Sequence, residues 1–406
     1  MPRTEPAKNT DIEVLRAVAI LFTLFSHLLW GLLPTFGRMG RMLQSSLQFW
    51  TGVDLFFGIS GFIITASLLR QLAAGDPPPS LAPSRRWREF LAFAVPFWIR
   101  RVFRLLPSAW LWILVTLLLA AGFNTHQSFG ALRDNLDEAA AALLNVANLH
   151  FYEWFTHGNS AYGSLGVYWS LSLEEQFYLI FPFLLYFVPR RLLVPVLLAA
   201  FFAQVFAFRP DGFVPGNTSL LWFVRTDALL LGVLIALWKN QAGSYRKLAP
   251  RFLRRPRYSL PVVGGGIVLL ALIPSSAAVA AFSTGLTALC CGFLVWLASY
   301  DRDLILAPCR LKAALVWLGT RSYSVYLIHT ICHAFVQELK KNAGIAEGHL
   351  LSESLTILSV ALILTLAECN YRLVEKPLRH VGRRLADRIL QRLRRPAVVA
   401  AAPVPG

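Results

Sequence analysis

The sequence predicts an all-α integral membrane protein of about ten transmembrane helices, with both termini cytoplasmic. Three observations predict it. Of 406 residues, 56% are hydrophobic and only 15% charged, and mean hydropathy is +0.54, which is more apolar than soluble domains. Apolar runs of roughly 20 residues, the length that crosses a hydrocarbon core, recur along the chain. The cations lie in alternate short loops between those runs. In a soluble protein a net charge of +17 would suggest nucleic acid. Placed in such loops it orients a chain in a bilayer, so no nucleic-acid partner is expected and membrane lipids are.

The predicted spans, in order, are 11–33, 50–72, 104–123, 168–188, 190–208, 219–238, 258–274, 277–299, 313–338 and 351–374. Glu13 and Arg16 interrupt the start of the first run, and no small-residue cleavage site follows it. It therefore reads as an uncleaved helix, not a removed signal. Segments 70–104 and 239–257 carry SRRWRE, IRRVFR and YRKLAPRFLRRPR, whereas 34–49, 124–167, 209–218 and 339–350 carry few cations. About 30 of the 39 Lys and Arg fall on the side shared by both termini and about six on the other. The longest outer connection, 124–167, contains NLDEAAAALLNVANL, a partly polar helix that lies at the interface or caps an outer cavity. Two units follow: a transmembrane domain over 1–376 and a basic amphipathic tail over 377–406. Leu378, Leu385, Ile389 and Leu393 suit that tail to an anionic lipid surface, and AVVAAAPVPG ends it in low complexity. Five cysteines form no disulfide framework or spaced zinc site.

Ionisable groups inside a bilayer cost a few kcal/mol each and need partners or a task. Five spans place such groups at one outer depth: His27, Asp54, Glu174 with Glu175, Arg225 with Asp227, and His329. Their coincidence points to a functional cavity. Neighbours on a helix diverge by about 100°, so Glu174 and Glu175 cannot both face its centre. Eleven residues separate Arg16 from His27. On a straight helix that is three turns plus about 20°, or about 16 Å along one face, with Arg16 near the cytoplasm. Arg100, Arg101 and Arg104 open the third span with spacing that suits a polyphosphate such as coenzyme A. Ser60 lies in G-I-S-G, which is no nucleophile elbow, so Gly58, Ser60 and Gly61 read as a packing face. His329 and His333 lack a third metal ligand. Gly264–Gly266 follow no strand, and Glu375 suits pairing with nearby arginines.

The stretches IEVLRAVAILFTLFSH, GVDLFFGISGFIITASLL, FWIRRVFRLLPS, YWSLSLEEQFYLIFP, RTDALLLG, LGTRSYSVYLIHT and YRLVEKPLRHVGRR occur in that order and span nearly the whole chain. Together they make a chain that resembles the acyltransferase 3 family of bacterial membrane acyltransferases. The resemblance implies multi-pass residence in the bacterial inner membrane. It also implies O-acyl transfer, usually acetyl, to a hydroxyl of a cell-envelope glycan or lipid-linked glycan such as O-antigen or exopolysaccharide. Acetyl-CoA would be co-substrate, with no bound cofactor. Arg16 and His27 match the family's first-helix pair, Arg100 and Arg101 its paired arginines, and Trp169, Ser170, Glu174, Phe177 and Tyr178 its WSL-E-FY motif. Ala17 stands where the family usually has glycine. Some members add an extracytoplasmic esterase-like domain, which is not expected here.

On this reading His27 is general base or transient acyl carrier, because imidazole titrates near neutrality. Asp54 or Glu174 orients it. Arg16, Arg100, Arg101 and Arg104 bind donor phosphates. Trp169, Ser170, Tyr178, Arg225, Asp227, Tyr323 and His329 support the cavity. No metal is expected. Two rival readings are a polytopic transporter, which normally shows internal repeats, and an acyltransferase for a small secondary metabolite.

Overall fold

A computed structural model of the chain describes residues 8–29, 37–73, 83–159, 162–207, 209, 216, 218–241, 243–275, 282–345 and 350–394. Every regular element among them is helical: α1 (Thr10–Leu24), α2 (Gly37–Ser46), α3 (Gly52–Ala73), α4 (Pro83–Gly122), α5 (Leu132–Leu143), α6 (Ala147–Thr156), α7 (Tyr168–Phe187), α8 (Arg190–Val205), α9 (Leu220–Phe223), α10 (Asp227–Asn240), α11 (Gly243–Lys247), α12 (Pro256–Leu272), α13 (Ser283–Ser299), α14 (Arg310–Asn342), α15 (Leu350–Asn370) and α16 (Lys376–Arg394). By length and composition, Gly52–Ala73, Arg86–Gly122 and Leu351–Leu393 can each cross a membrane, while Pro256–Leu272 and Ser283–Ser299 are shorter apolar helices. The end of the first predicted span, the start of the eighth and the low-complexity tail lie outside the described residues.

Glycines set how closely the central helices approach. A Cβ at Gly61 would strike the Leu229 carbonyl, and one at Gly232 would strike that of Gly58, so α3 and α10 meet backbone to backbone. The packing role read for Gly58 and Gly61 is what the structure contains. Gly319 of α14 similarly lies against the Glu13 carbonyl of α1. Contacts between α1 and α14 occur in ascending order: Asp11 with Lys312, Glu13 with Gly319, His27 with His329. The two helices therefore run parallel, and the histidines meet just past the end of α1 and midway along α14.

Four expectations change. First, the third span begins at Pro83, not at 104. Pro96 and Pro107 stay inside α4, and Phe90, Phe93 and Phe97 bury its earlier half, with Phe90 against Phe183 and Phe187 of α7. Second, the sixth span breaks into α9 and α10, with Val224–Thr226 between them. Third, α1 does not stay α-helical to His27: Phe25–Leu29 form a π-turn. The wider turn invalidates the straight-helix angle drawn from Arg16 to His27. Fourth, the tail helix is not a free surface helix. α16 follows α15 through a π-turn at Tyr371–Glu375 and packs on α4, where Gly382 abuts the Phe103 side chain and Ala386 is buried. Its small residues, not its leucines, face the bundle most closely. Glu375 pairs with Arg379 at 3.3 Å, as its position suggested, and also accepts from Ser324.

Candidate active site

The π-turn ending α1 presents His27 to a chamber of about 940 Å³, the outer of two in the orientation the sequence predicts. π-turns widen a helix by one residue and frequently mark functional positions. His27 Nδ1 lies 2.7 Å from Nε2 of His329, with the two rings nearly parallel at 14°. His329 is fully buried, and its Nδ1 lies 2.8 Å from the carbonyl oxygen of Tyr326, one turn earlier in α14. A carbonyl only accepts, so His329 Nδ1 carries a hydrogen. The neutral ring then offers a lone pair at Nε2, which accepts from His27 Nδ1–H. By the same logic His27 keeps its lone pair at Nε2. Proton positions here follow from the hydrogen-bond network. The outcome is an imidazole with one nitrogen anchored and the other free to take a proton.

Neither carboxylate expected to orient His27 does so. Asp54 accepts from Arg225 through both oxygens, at 2.9 and 3.3 Å, inside the core. Arg225 is 1% exposed and lies over Trp222, Trp169 and Trp50, at 4.2, 4.8 and 5.3 Å from the ring centres. A guanidinium removed from water needs such partners, and the carboxylate is committed to it. Asp227 pairs instead with Arg209, at 2.6 Å. The first pair ties α3 to the link between α9 and α10, the second ties α10 to Arg209 beyond α8, and Arg225 reaches the chamber wall together with the three tryptophans.

Glu174 lines a second, inner cavity of about 70 Å³ and accepts from Tyr178 at 2.8 Å. Glu175 does not line that cavity; it borders a small void beside Leu106, Tyr168 and Ser172, which Glu174 also touches. The divergence follows from helical geometry. Arg16, Arg101 and Arg104 also line the inner cavity. Arg101 lies over the rings of Phe97 and Tyr178, and Nε of Arg104 is buried without a protein partner. Three cations and an unmet donor suit an anionic ligand. Arg100 does not belong with them. It turns outward to Gln71, at 2.9 Å, and to Asp387 of α16, at 3.9 Å. Ser170 and Tyr323 line the inner cavity, and Tyr323 donates to the Leu105 carbonyl; Trp169 lines the outer one.

Sequence reasoning read Ser60 as packing and weighed His333 only as a metal ligand, and it did not single out Tyr326. Ser60 is more than packing, since it lines the inner cavity and hydrogen-bonds Glu174. Tyr326 sits three residues before His329 in VYLIH, so a hydroxyl one turn from a histidine was the available signal. His333 lines the outer chamber one turn further on. Among the described residues, no three His, Cys, Asp or Glu are grouped to hold a metal ion.

Two carboxylates fasten the loops over the chamber. Glu338 accepts from the backbone N–H of His126 and Ser128, at 2.7 and 3.2 Å. Glu138 of α5 accepts from those of Gly163 and Leu165, at 2.5 and 2.9 Å. Gln127, Ser128, Gly163 and Ser164 all line the chamber. The 124–167 connection is thus a cap over the cavity. Burial pushes the Glu138 carboxyl up to about 7 despite its two amide donors, with Asp134 and Asp137 adding to the rise. A carboxyl raised on folding stabilises the fold most below its unfolded pKa of about 4.3 and loses that contribution as pH climbs through the folded value. The thermal midpoint of detergent-solubilised protein should therefore fall as pH rises from about 5 to about 8, and Glu138→Gln should flatten the fall. An unchanged slope in that variant would remove Glu138 as its source.

Residues 9–369 match a family profile described as an acyltransferase domain. The chain belongs to the acyltransferase 3 family. This acyltransferase domain is 27% identical over 400 residues to the peptidoglycan O-acetyltransferase OatA of Listeria monocytogenes, covering 92% of the chain and 56% of that protein. It is 28% identical over 351 residues to the O-acetyltransferase OatA of Staphylococcus aureus, covering 82% of the chain and 53% of that protein. The chain thus spans about half the length of these relatives. No solved structure matches it. Membership, with the apolar helices, marks a membrane protein.

Proposed function

We propose that the chain transfers an acyl group, acetyl on the analogy of both relatives' names, from acyl-CoA to a hydroxyl of a cell-envelope glycan. The observation that carries this reading is the His27–His329 pair. It leaves a basic nitrogen in a chamber wide enough for a sugar, with an arginine-lined cavity beside it. Ligand sites commonly occupy about 300–1,000 Å³, and the outer chamber lies at the top of that range. Its tryptophans, glutamines and hydroxyls suit a carbohydrate, which offers apolar ring faces and many hydroxyls.

The step is an acyl exchange. His27 Nε2 takes the acceptor's hydroxyl proton as its oxygen bonds to the thioester carbonyl carbon. The tetrahedral centre collapses, the C–S bond breaks, and the proton passes to the departing thiolate, giving ester and free CoA. His329 holds His27 in the reactive tautomer, the task a carboxylate performs in a hydrolase triad. Arg16, Arg101 and Arg104 bind the donor's anionic part. Glu174 orders that cavity through Tyr178 and Ser60.

The same reading keeps about ten crossings in a bacterial cytoplasmic membrane, with both termini inside. Two features support it: the alternation of cations along the chain, and the position of Arg16 well before His27 on the first helix. The arginine cavity then faces the cytoplasm, where acyl-CoA is made, and the wide chamber faces the envelope.

Purified protein in lipid nanodiscs, given acetyl-CoA and either peptidoglycan fragments or O-antigen, should release CoA thiol and yield a glycan heavier by one acetyl group. Mass spectrometry reads the acceptor. CoA release with none of these glycans but with a small metabolite would move the acceptor class. No thiol release under any condition would sink acyl transfer in favour of transport.

A further inference from the structure

We infer that Tyr326, tied to Ser170, is the partition between the donor and acceptor chambers, and that it sets whether the thioester meets a glycan hydroxyl or water. This rests on the acyl-transfer reading above. Among the described residues, the linings of the two cavities have two members in common, Val53 and Tyr326. Arg16, Arg101 and Arg104 lie on one side of them, and His27 on the other. A thioester carbonyl must come within about 3–3.5 Å of the attacking oxygen. The acyl end of a donor held by those arginines therefore has to pass between Val53 and Tyr326.

Tyr326 stands in this passage. Tyr326 is 6% exposed, and its hydroxyl shares a hydrogen bond with Ser170 Oγ at 2.6 Å, in which either oxygen can donate. Both hydroxyls also lie within donating distance of the Val167 carbonyl, Ser170 at 3.2 Å and Tyr326 at 3.3 Å, so α14 is latched to the start of α7. Phe56 meets the ring edge-on from the donor side, at 6.1 Å between centres. The wide chamber holds water whenever no glycan is bound, and water there is a competing nucleophile in reach of His27. A wall that opens only for the donor's arm limits that reaction.

Tyr326 serves two purposes through separate atoms. Its carbonyl fixes the His329 tautomer, and its ring forms the wall. Rotation about the side-chain bonds moves the ring and leaves the carbonyl where it is. The passage can open without disturbing the base. When it stands open without an acceptor, water adds to the thioester carbonyl, the C–S bond breaks, and acetate and CoA thiol leave.

Two measurements test the partition. In nanodiscs, CoA thiol released from acetyl-CoA without acceptor is compared with ester formed when glycan is present. Tyr326→Ala and Val53→Ala should each raise the ratio of hydrolysis to transfer several-fold, and Tyr326→Phe, which keeps the ring, should raise it less. A wild-type ratio in both alanine variants, each monodisperse by gel filtration, would overturn the inference. If Tyr326→Ala does not fold, Val53→Ala decides.

The second measurement needs no chemistry. Ser60→Cys in a protein freed of its native cysteines is placed in oriented liposomes and exposed to an impermeant maleimide on the His27 side. The thiol should resist labelling behind the tyrosine and react once Val53→Ala or Tyr326→Ala opens the wall. Equal labelling in all three backgrounds would also overturn it. Failure of wild-type protein to release CoA would instead count against acyl transfer, while the labelling still tests the wall.

Discussion

Replacing His27 with alanine is expected to abolish acyl transfer while leaving a folded, membrane-inserted protein. General-base catalysis by a positioned side chain contributes about 10²–10⁴-fold, so the loss should reach the assay floor. His27 faces the chamber, and among the described residues its one side-chain hydrogen bond runs to His329, so the bundle loses little by its removal. His329→Leu should act through tautomer and aim: kcat falls by more than tenfold, because His27 Nδ1–H loses its acceptor. The KM for acetyl-CoA should hold in both variants, since neither histidine lines the arginine cavity. Retained turnover in His27→Ala would remove the assignment. A raised KM with unchanged kcat in His329→Leu would show that the buried histidine does not orient the base.

Asp54→Ala is expected to be the most destabilising single change among the acidic residues of the bundle. It strands the Arg225 guanidinium, 1% exposed among three tryptophans, without its counter-charge. Removing one partner of a buried ion pair costs about 3–5 kcal/mol. Removing both is much cheaper, so Asp54→Leu combined with Arg225→Met should recover most of the loss. Thermal unfolding in detergent gives the ordering: wild type, then the double variant, then Asp54→Ala. If Asp54 supported the base directly, activity per folded molecule would collapse in every variant with little change in unfolding. That outcome would reverse the structural role drawn here.

Much of the site could be read before any coordinates. Intramembrane charge is rare because it is costly, so His27, Glu174, Arg225 and His329 stood out in apolar runs. Arg101 and Arg104 stood out by their spacing at a helix mouth. The partners could not be read. Asp54 and Arg225 are 171 residues apart, and nothing local says that this carboxylate serves the arginine and not the histidine. Arg100 and Arg101 are adjacent, but α16 draws the first outward to Asp387, a residue from the far end of the chain. The π-turn was also invisible, since FSHLL reads as ordinary helix.

The amino-acid sequence by itself determined a helical membrane protein, the residue types its interior must accommodate, and the stretches that mark its family. Each rests on a one-dimensional property: hydropathy over a span, charge in a loop, or a local motif. Only the tertiary structure decided that a second histidine, not a carboxylate, anchors the first, that two chambers meet at Tyr326, and that Asp54 serves the fold. The physical reason is distance along the chain. Hydrogen bonds and ion pairs act over about 3 Å in space. The residues they join here lie more than 150 positions apart, and helix packing alone brings them together.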